Sequence, residues 1–225
     1  MNVAEFIREN KAYFEDFVTR STYNSNRIEG NTLSYAETYA IIFNDNSFMV
    51  KTKPREIYEA INHKYALSYV LEHLGENLSE RMIKDIGVQI NKNINEIDGY
   101  RKIQVIINKA EFLPPLPEQV GLQMMHFVDN YNNTEYDSVF EKMADMHIKF
   151  ERIHPFEDGN GRTGRLLITY ECLKQDVAPA IIPADDRREY FEFLATGDAQ
   201  GFAGYLERLS GEEQERVGVF KKLNE

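Results

Sequence analysis

The chain has 225 residues, 42% hydrophobic and 28% charged, enough to bury a core in one large or two small domains. Its formal charge of −11 excludes a sequence-independent grip on nucleic acid and restricts anion binding to a local positive spot. A single cysteine excludes an internal disulfide framework, no basic-then-apolar leader opens the chain, and no apolar run approaches the ~20 residues that span a bilayer.

These features predict a soluble, cytoplasmic protein with no membrane partner. Val3, Phe6, Ile7, Phe14, Phe17 and Val18 recur at helical spacing and predict a first amphipathic helix. Ser34 with Glu37 forms a capping-box pattern that opens a short helix through Ile42. Pro54 suits the first turn of a long helix marked by Ile57, Tyr58, Ile61, Tyr65, Leu67, Val70 and Leu74, with Gly75 as its terminator. Another helix is expected from Ser79 to Ile90. Between Gly99 and Pro117 the period changes. Ile103, Gln104, Val105, Ile106 and Ile107 read as a strand, Asn108 to Ala110 as a turn and Glu111 to Leu113 as a return, a small hairpin stopped by Pro114, Pro115 and Pro117. Helices are expected again over residues 118–130, 136–152, 161–174, 186–195 and 198–209. Cys172 falls at helical spacing behind Ile168 and Thr169 and reads as a buried core residue. The chain therefore reads as all-α, with an N-terminal helical extension over residues 1–50 and a compact unit over residues 51–225.

The chemistry concentrates in one run, His154-Pro155-Phe156-Glu157-Asp158-Gly159-Asn160-Gly161-Arg162-Thr163-Gly164-Arg165. Gly159-x-Gly161-x-x-Gly164 matches the dinucleotide fingerprint literally, but a polar turn precedes it where that fingerprint needs a buried strand. The physics of the glycines survives without that fold. A turn at Gly159 and Gly161 can aim successive N–H groups one way, and the helix that follows adds its positive end. Arg162 and Arg165 fall on one face of its first turn, where cations oppose the helix dipole and an arriving phosphate chain would resolve the conflict. His154 at the lip of this nest suits a general base, and Asp158 suits Mg²⁺. The plainer readings are a satisfied core histidine, a turn-capping aspartate and arginines in ion pairs on the body.

The run resembles, without a departure, the signature loop of Fic-domain proteins, HxFx(D/E)GNGRxxR. Gly99-Tyr100-Arg101, the Ile103–Leu113 hairpin and Pro114-Pro115 are similar to that family's flap, and the resemblance covers most of residues 20–210. It implies a Fic-type helical bundle with a small β-hairpin flap, and transfer of AMP from ATP to a Ser, Thr or Tyr hydroxyl of a target protein or of the chain itself. By position, the resemblance makes His154 the base, Asp158 the ligand of Mg²⁺ or Mn²⁺, Gly159, Asn160 and Gly161 the anion hole, and Arg162 and Arg165 the partners of the β/γ end. Ile103, Gln104, Val105 and Ile106 would bind an extended target segment by strand addition. Tyr190, after Arg187 and Arg188, is assigned to the adenine side, with a core tyrosine as the equal alternative.

Ser25-Asn26-Arg27-Ile28-Glu29-Gly30-Asn31 resembles the family's inhibitory motif, (S/T)xxxE(G/N), in its N-terminally inhibited class. The resemblance implies that Glu29 pairs with Arg165 and displaces the γ-phosphate's partner, or in some members supports removal of AMP; a homo-oligomer would be a reasonable way to control it. Read alone, Glu29 is a solvated acid near a helix end. Competing readings are a Fic-type transferase of phosphate or phosphocholine, a non-catalytic protein that senses nucleotide, and a metal hydrolase using His126, His147, His154 and Asp158, whose ligand spacing is not compact.

Overall fold

The computed structural model describes residues 2–43, 50–107 and 113–223. The expected first helix is two: α1 (Val3–Glu9) and α2 (Lys11–Ile28) meet at Asn10, whose extended backbone ends one and whose side chain accepts from Tyr13 N at 2.9 Å to start the other. Apolar spacing hides this break because Phe6, Ile7, Tyr13 and Phe17 on both sides of it enter the same core. Helix α3 (Tyr35–Phe43) opens on the expected capping box, with Glu37 Oε2 2.8 Å from Ser34 N and Ser34 Oγ 3.2 Å from Glu37 N. Helix α4 (Pro54–Glu72) starts at its proline but stops at His73 rather than Gly75, the His73 ring nitrogen lying 2.8 Å from Tyr69 O. Helix α5 (Glu80–Asn91) is capped by Ser79.

Residues 103–107 form neither helix nor strand, and the expected turn and most of the return strand, residues 108–112, lie outside the described residues. Four helices follow the order read from the sequence: α6 (Pro117–Asn133), α7 (Val139–Ile153), α8 (Asn160–Lys174) and α9 (Arg187–Thr196). Helix α10 (Ala199–Lys222) runs well past its expected end at Leu209. Val217 in the extension is fully buried, and the Glu213 carboxylate is held by Arg20 at 2.6 and 2.7 Å and by Tyr13 OH at 2.5 Å. No helix among the described residues is long and apolar enough to cross a membrane.

Helix α8 is the central strut. Every residue from Arg162 to Leu173 is buried. Leu166, Leu167 and Tyr170 enter the core built from α1, α2, α4, α5 and α6, while Ile168 and Cys172 enter a second cluster with α7, α9 and α10. A side chain on α8 is therefore fixed by packing on both flanks. The loop before α8 is pinned by Phe156, which is fully buried against Gly87 of α5. A Cβ at Gly87 would lie 2.6 and 2.8 Å from two ring atoms of Phe156. Gly87→Ala is thus expected to destabilise the fold despite alanine's better helix propensity, because overpacking costs about 1–3 kcal/mol against a propensity gain of ~1 kcal/mol. A chemical-denaturation midpoint equal to or above that of the unaltered chain would show that Phe156 has room to move.

Candidate active site

Helix α7 ends at His154, which adopts a left-handed backbone (φ 50°, ψ 62°) and donates its N–H to Phe150 O at 2.9 Å. Histidine tolerates this region better than most residues, but a non-glycine there stores strain of about 1–3 kcal/mol, a common mark of functional positions. The loop then closes on itself. Asn160 accepts from Phe156 N and donates to Phe156 O, both at 2.9 Å, and Asn91 donates to Asp158 O at 3.0 Å. The Asn160 side chain is thereby a loop clasp. Gly159 starts α8 with φ 80°, and a Cβ there would meet Ile90 at 2.7 Å, so both conformation and space require glycine.

Asp158 and Arg162 form one half of the site. Asp158 Oδ1 accepts from Gly159 N at 2.6 Å and from Arg162 at 3.0 Å, and its Oδ2 lies 2.5 Å from Arg55 of α4. Burial opposes ionisation of Asp158, but Arg162 and Arg55 outweigh it and hold the carboxyl below its usual range. Arg162, only 2% exposed, also sits 3.5 Å from Glu59, and its Nε and one terminal nitrogen have no hydrogen-bond acceptor among the described residues. A buried guanidinium with unused donors is prepared for an anion. Arg55 and Glu59 pair at 2.9 Å, and Glu59 also accepts from Asn31 at 2.9 Å, two residues beyond Glu29. Neither Arg55 nor Glu59 stands out in the sequence, where they look like an ordinary surface i, i+4 pair.

Arg165 forms the other half. It donates to Ser25 Oγ at 3.0 Å, Ser25 O at 2.9 Å, Glu29 Oε1 at 2.8 Å and Tyr190 OH at 3.3 Å. Glu29 caps the C-terminal end of α2, and Gly30 follows in the left-handed region (φ 98°) and turns the chain away. At that helix end a carboxylate is unfavourable, yet its Oε1 lies 2.3 Å from where a Cβ of Gly161 would stand, at the start of α8. Glu29 thus occupies the N-terminal end of α8, where glycine leaves room for an anion and the helix dipole favours one. Tyr190 is fully buried, with its hydroxyl 2.8 Å from His147 Nε2. It supports Arg165 from inside the core, as the core-tyrosine alternative has it.

Burial draws the His154 imidazole below its ordinary pKa; its Nδ1 lies 3.2 Å from Glu151 O, which opposes the shift, and Arg101 adds to it. Burial, then Glu29, pushes the Glu151 carboxyl up to about 8, while Arg165 opposes them. His147 and His63 are driven down to about 3, by burial first and Arg165 second. His147 is therefore a neutral core group, His126 lies apart on α6 in a groove with Gln123 and Asn130, and no three His, Cys, Asp or Glu side chains gather as a metal site among the described residues. The set imagined for a metal hydrolase is not brought together.

Ile103 and Ile106 are 56% and 78% exposed, Gln104 is exposed and Val105 half-buried. Gln104 Nε2 donates to Pro114 O at 3.2 Å, so the two limbs of this segment run close together.

The helical bundle thus gathers a strained histidine, a carboxylate and two buried arginines around one helix N-terminus. Residues 77–172 match the Fic/DOC family model. The chain belongs to the Fic/DOC family. It is 33% identical over 212 residues to protein adenylyltransferase Fic of Nematostella vectensis, covering 89% of this chain and 47% of that protein. It is 32% identical over 210 residues to protein adenylyltransferase fic-1 of Caenorhabditis elegans, covering 88% of this chain and 41% of that protein. The chain thus spans less than half the length of these relatives. Its fold is similar to the crystal structure of a Fic domain containing signaling protein from Bacteroides thetaiotaomicron, with a TM-score of 0.83, 24% identity, and coverage of 94% of this chain and 90% of that one.

Proposed function

We propose that this chain is a protein adenylyltransferase that moves AMP from ATP to a side-chain hydroxyl of a protein, and that Glu29 holds it in an inhibited state. The observation that carries this reading is the seat of Glu29: a carboxylate from α2 on Arg165 and against Gly161, where the terminal phosphates of a nucleotide would have to lie. The names of the relatives support the reaction class. His154, kept neutral by burial, takes the proton of the acceptor hydroxyl. The hydroxyl oxygen bonds to the α-phosphorus, the bond from that phosphorus to the α,β-bridging oxygen breaks, and pyrophosphate leaves. The backbone N–H groups of Asn160 and Gly161, with Arg162 and Arg165, hold the charge that develops.

Asp158 fits Mg²⁺ or Mn²⁺, because one carboxylate beside a phosphate-binding turn is what such an ion takes when phosphates supply further ligands. Such an ion would supply neutralisation of phosphate charge, and Asp158, whose Oδ2 lies 2.5 Å from Arg55, would hold it. The exposed Ile103–Ile106 edge suits an extended target segment, added as a strand. Hydroxyls of the chain itself are chemically equivalent acceptors, and the acidic charge with a single buried Cys172 suits a reducing cytoplasm.

The test is to incubate the Glu29→Gly chain with ATP labelled at the α or the γ phosphate. Covalent label from the α position alone is the expected result. Label from the γ position would make the protein a kinase, and none from either would reduce it to a nucleotide-binding module.

A further inference from the structure

Arg101 is 3% exposed, and among the described residues its guanidinium's polar contacts are to backbone carbonyls: His154 O at 2.9 Å from Nε, Ile103 O at 3.0 Å from one terminal nitrogen and Pro115 O from the other. Its own backbone N–H donates to Pro155 O at 2.8 Å. No carboxylate among the described residues pairs with it, and burial alone draws its pKa down. A buried guanidinium held by carbonyls, with no carboxylate partner among the described residues, is costly to desolvate, and a neutral side chain could fill the space more cheaply. What these bonds join is specific. Two go to the backbone of the strained turn that carries His154, one to the outgoing limb of the exposed 102–107 segment and one to its returning limb at Pro115. The planar fork of arginine can reach three carbonyls at fixed angles, and lysine cannot.

We propose that Arg101 is a positioning residue that locks the backbone of His154 to the two limbs at residues 102–107 and 113–116, so that a polypeptide lying along those limbs and the base that deprotonates it share one register. This rests on the adenylyltransferase reading for its consequence, though the mechanical link itself does not. Arg101 touches none of the groups assigned to the nucleotide, so its loss acts on the transfer step and leaves ATP binding in place.

The experiment uses the full chain carrying Glu29→Gly, with Arg101→Lys and Arg101→Gln added separately. Native melting temperature and ATP affinity by calorimetry establish that each variant is folded. Amide hydrogen exchange then reads the link without any catalysis. The expected result in both variants is faster exchange at the His154 and Phe156 amides and at the amides of residues 101 and 116 together, relative to the rest of the chain. Loosening of one stretch alone, or of neither, would overturn the lock. The rate of AMP incorporation into the chain itself at saturating ATP is expected to fall roughly 10- to 100-fold, since small misplacements of reacting groups cost that much, with the ATP KM changed less than about twofold. Equal losses in ATP affinity and rate would make Arg101 a folding residue and overturn the proposal. The titration midpoint of the His154 ring by NMR adds a separate readout. Among the described residues, Arg101, Glu151, Glu29 and Asp158 are the charged groups that face that ring. The midpoint should rise in Arg101→Gln, which removes a positive neighbour, and rise less in Arg101→Lys, which keeps the charge but not the fork; the reverse order would count against the placement of Arg101. If Glu29→Gly incorporates no AMP at all, the adenylyltransferase reading fails, while exchange and titration still decide the lock.

Discussion

Replacing Glu29 with glycine is expected to raise AMP incorporation roughly 10- to 150-fold over the unaltered chain. A hydrogen bond between charged groups contributes about 1.5–3 kcal/mol net, which sets that range. Glu29 is 34% exposed and therefore partly screened, which favours the lower half. The gain depends on Arg165 keeping its place when its carboxylate goes. Two bonds to Ser25, at 3.0 and 2.9 Å, and the Tyr190 hydroxyl at 3.3 Å hold it from the sides that ATP would not approach. Some stability should be lost, since Arg165 is buried and gives up its carboxylate partner, a cost offset in part by clearing a carboxylate from the unfavourable end of α2. Glu29→Gln keeps the shape and a weaker neutral hydrogen bond, so its rate should fall between the two. The measurements are initial rates of α-label incorporation with melting temperatures for all three proteins. Equal rates in Glu29→Gly and the unaltered chain would mean that the contact with Arg165 does not limit the reaction.

The twelve-residue loop was legible in the sequence because its determinants are local: the turn at Gly159, the helix start and the clasp between Asn160 and Phe156 span four residues. Most of the helix order was legible for the same reason. The Glu29–Arg165 contact joins positions 136 apart, and no local pattern carries it; only the resemblance of Ser25–Asn31 to a family motif did. Arg55 had no such help. Its pairing with Glu59 is visible as a helix spacing, while its contact with Asp158, 103 positions away, is created by how α4 packs on α8. Tyr190 stayed open between adenine and core because nothing in its neighbours signals full burial, which comes from α7, α8 and α10 closing around it. Glu213 masked the length of α10 in a similar way, since its charge reads as a surface residue until Arg20 and Tyr13 of α2 are seen to enclose it.

In the released Glu29→Gly background, His154→Ala is expected to lower the transfer rate about 10²- to 10⁴-fold, the usual contribution of a positioned base. The pH dependence distinguishes a base from a structural histidine. A base works in its neutral form, so the rate should be flat at neutral pH and fall as pH drops through the His154 pKa. Burial places that pKa below the ordinary value of about 6.5, and Arg101 lowers it further; Glu151 O, Glu29 and Asp158 pull the other way. Glu29→Gly removes one of the groups that raise it, so the acid limb should lie further below 6.5 in the released variant. Unfolding has to be separated from this limb. His63 and His147, with folded pKa values near 3 against about 6.5 unfolded, are neutral in the fold, so the unfolded chain binds more protons and stability falls as pH drops from 6.5 towards 3. Glu151 has the opposite sign, its folded pKa of about 8 giving stability that is full below about 4.5 and lost as pH rises through 8. Rates normalised to the folded fraction between about pH 5 and 8 remove both effects. An acid limb at or above 6.5, or a His154→Ala rate equal to that of the released parent, would take the base assignment away from His154.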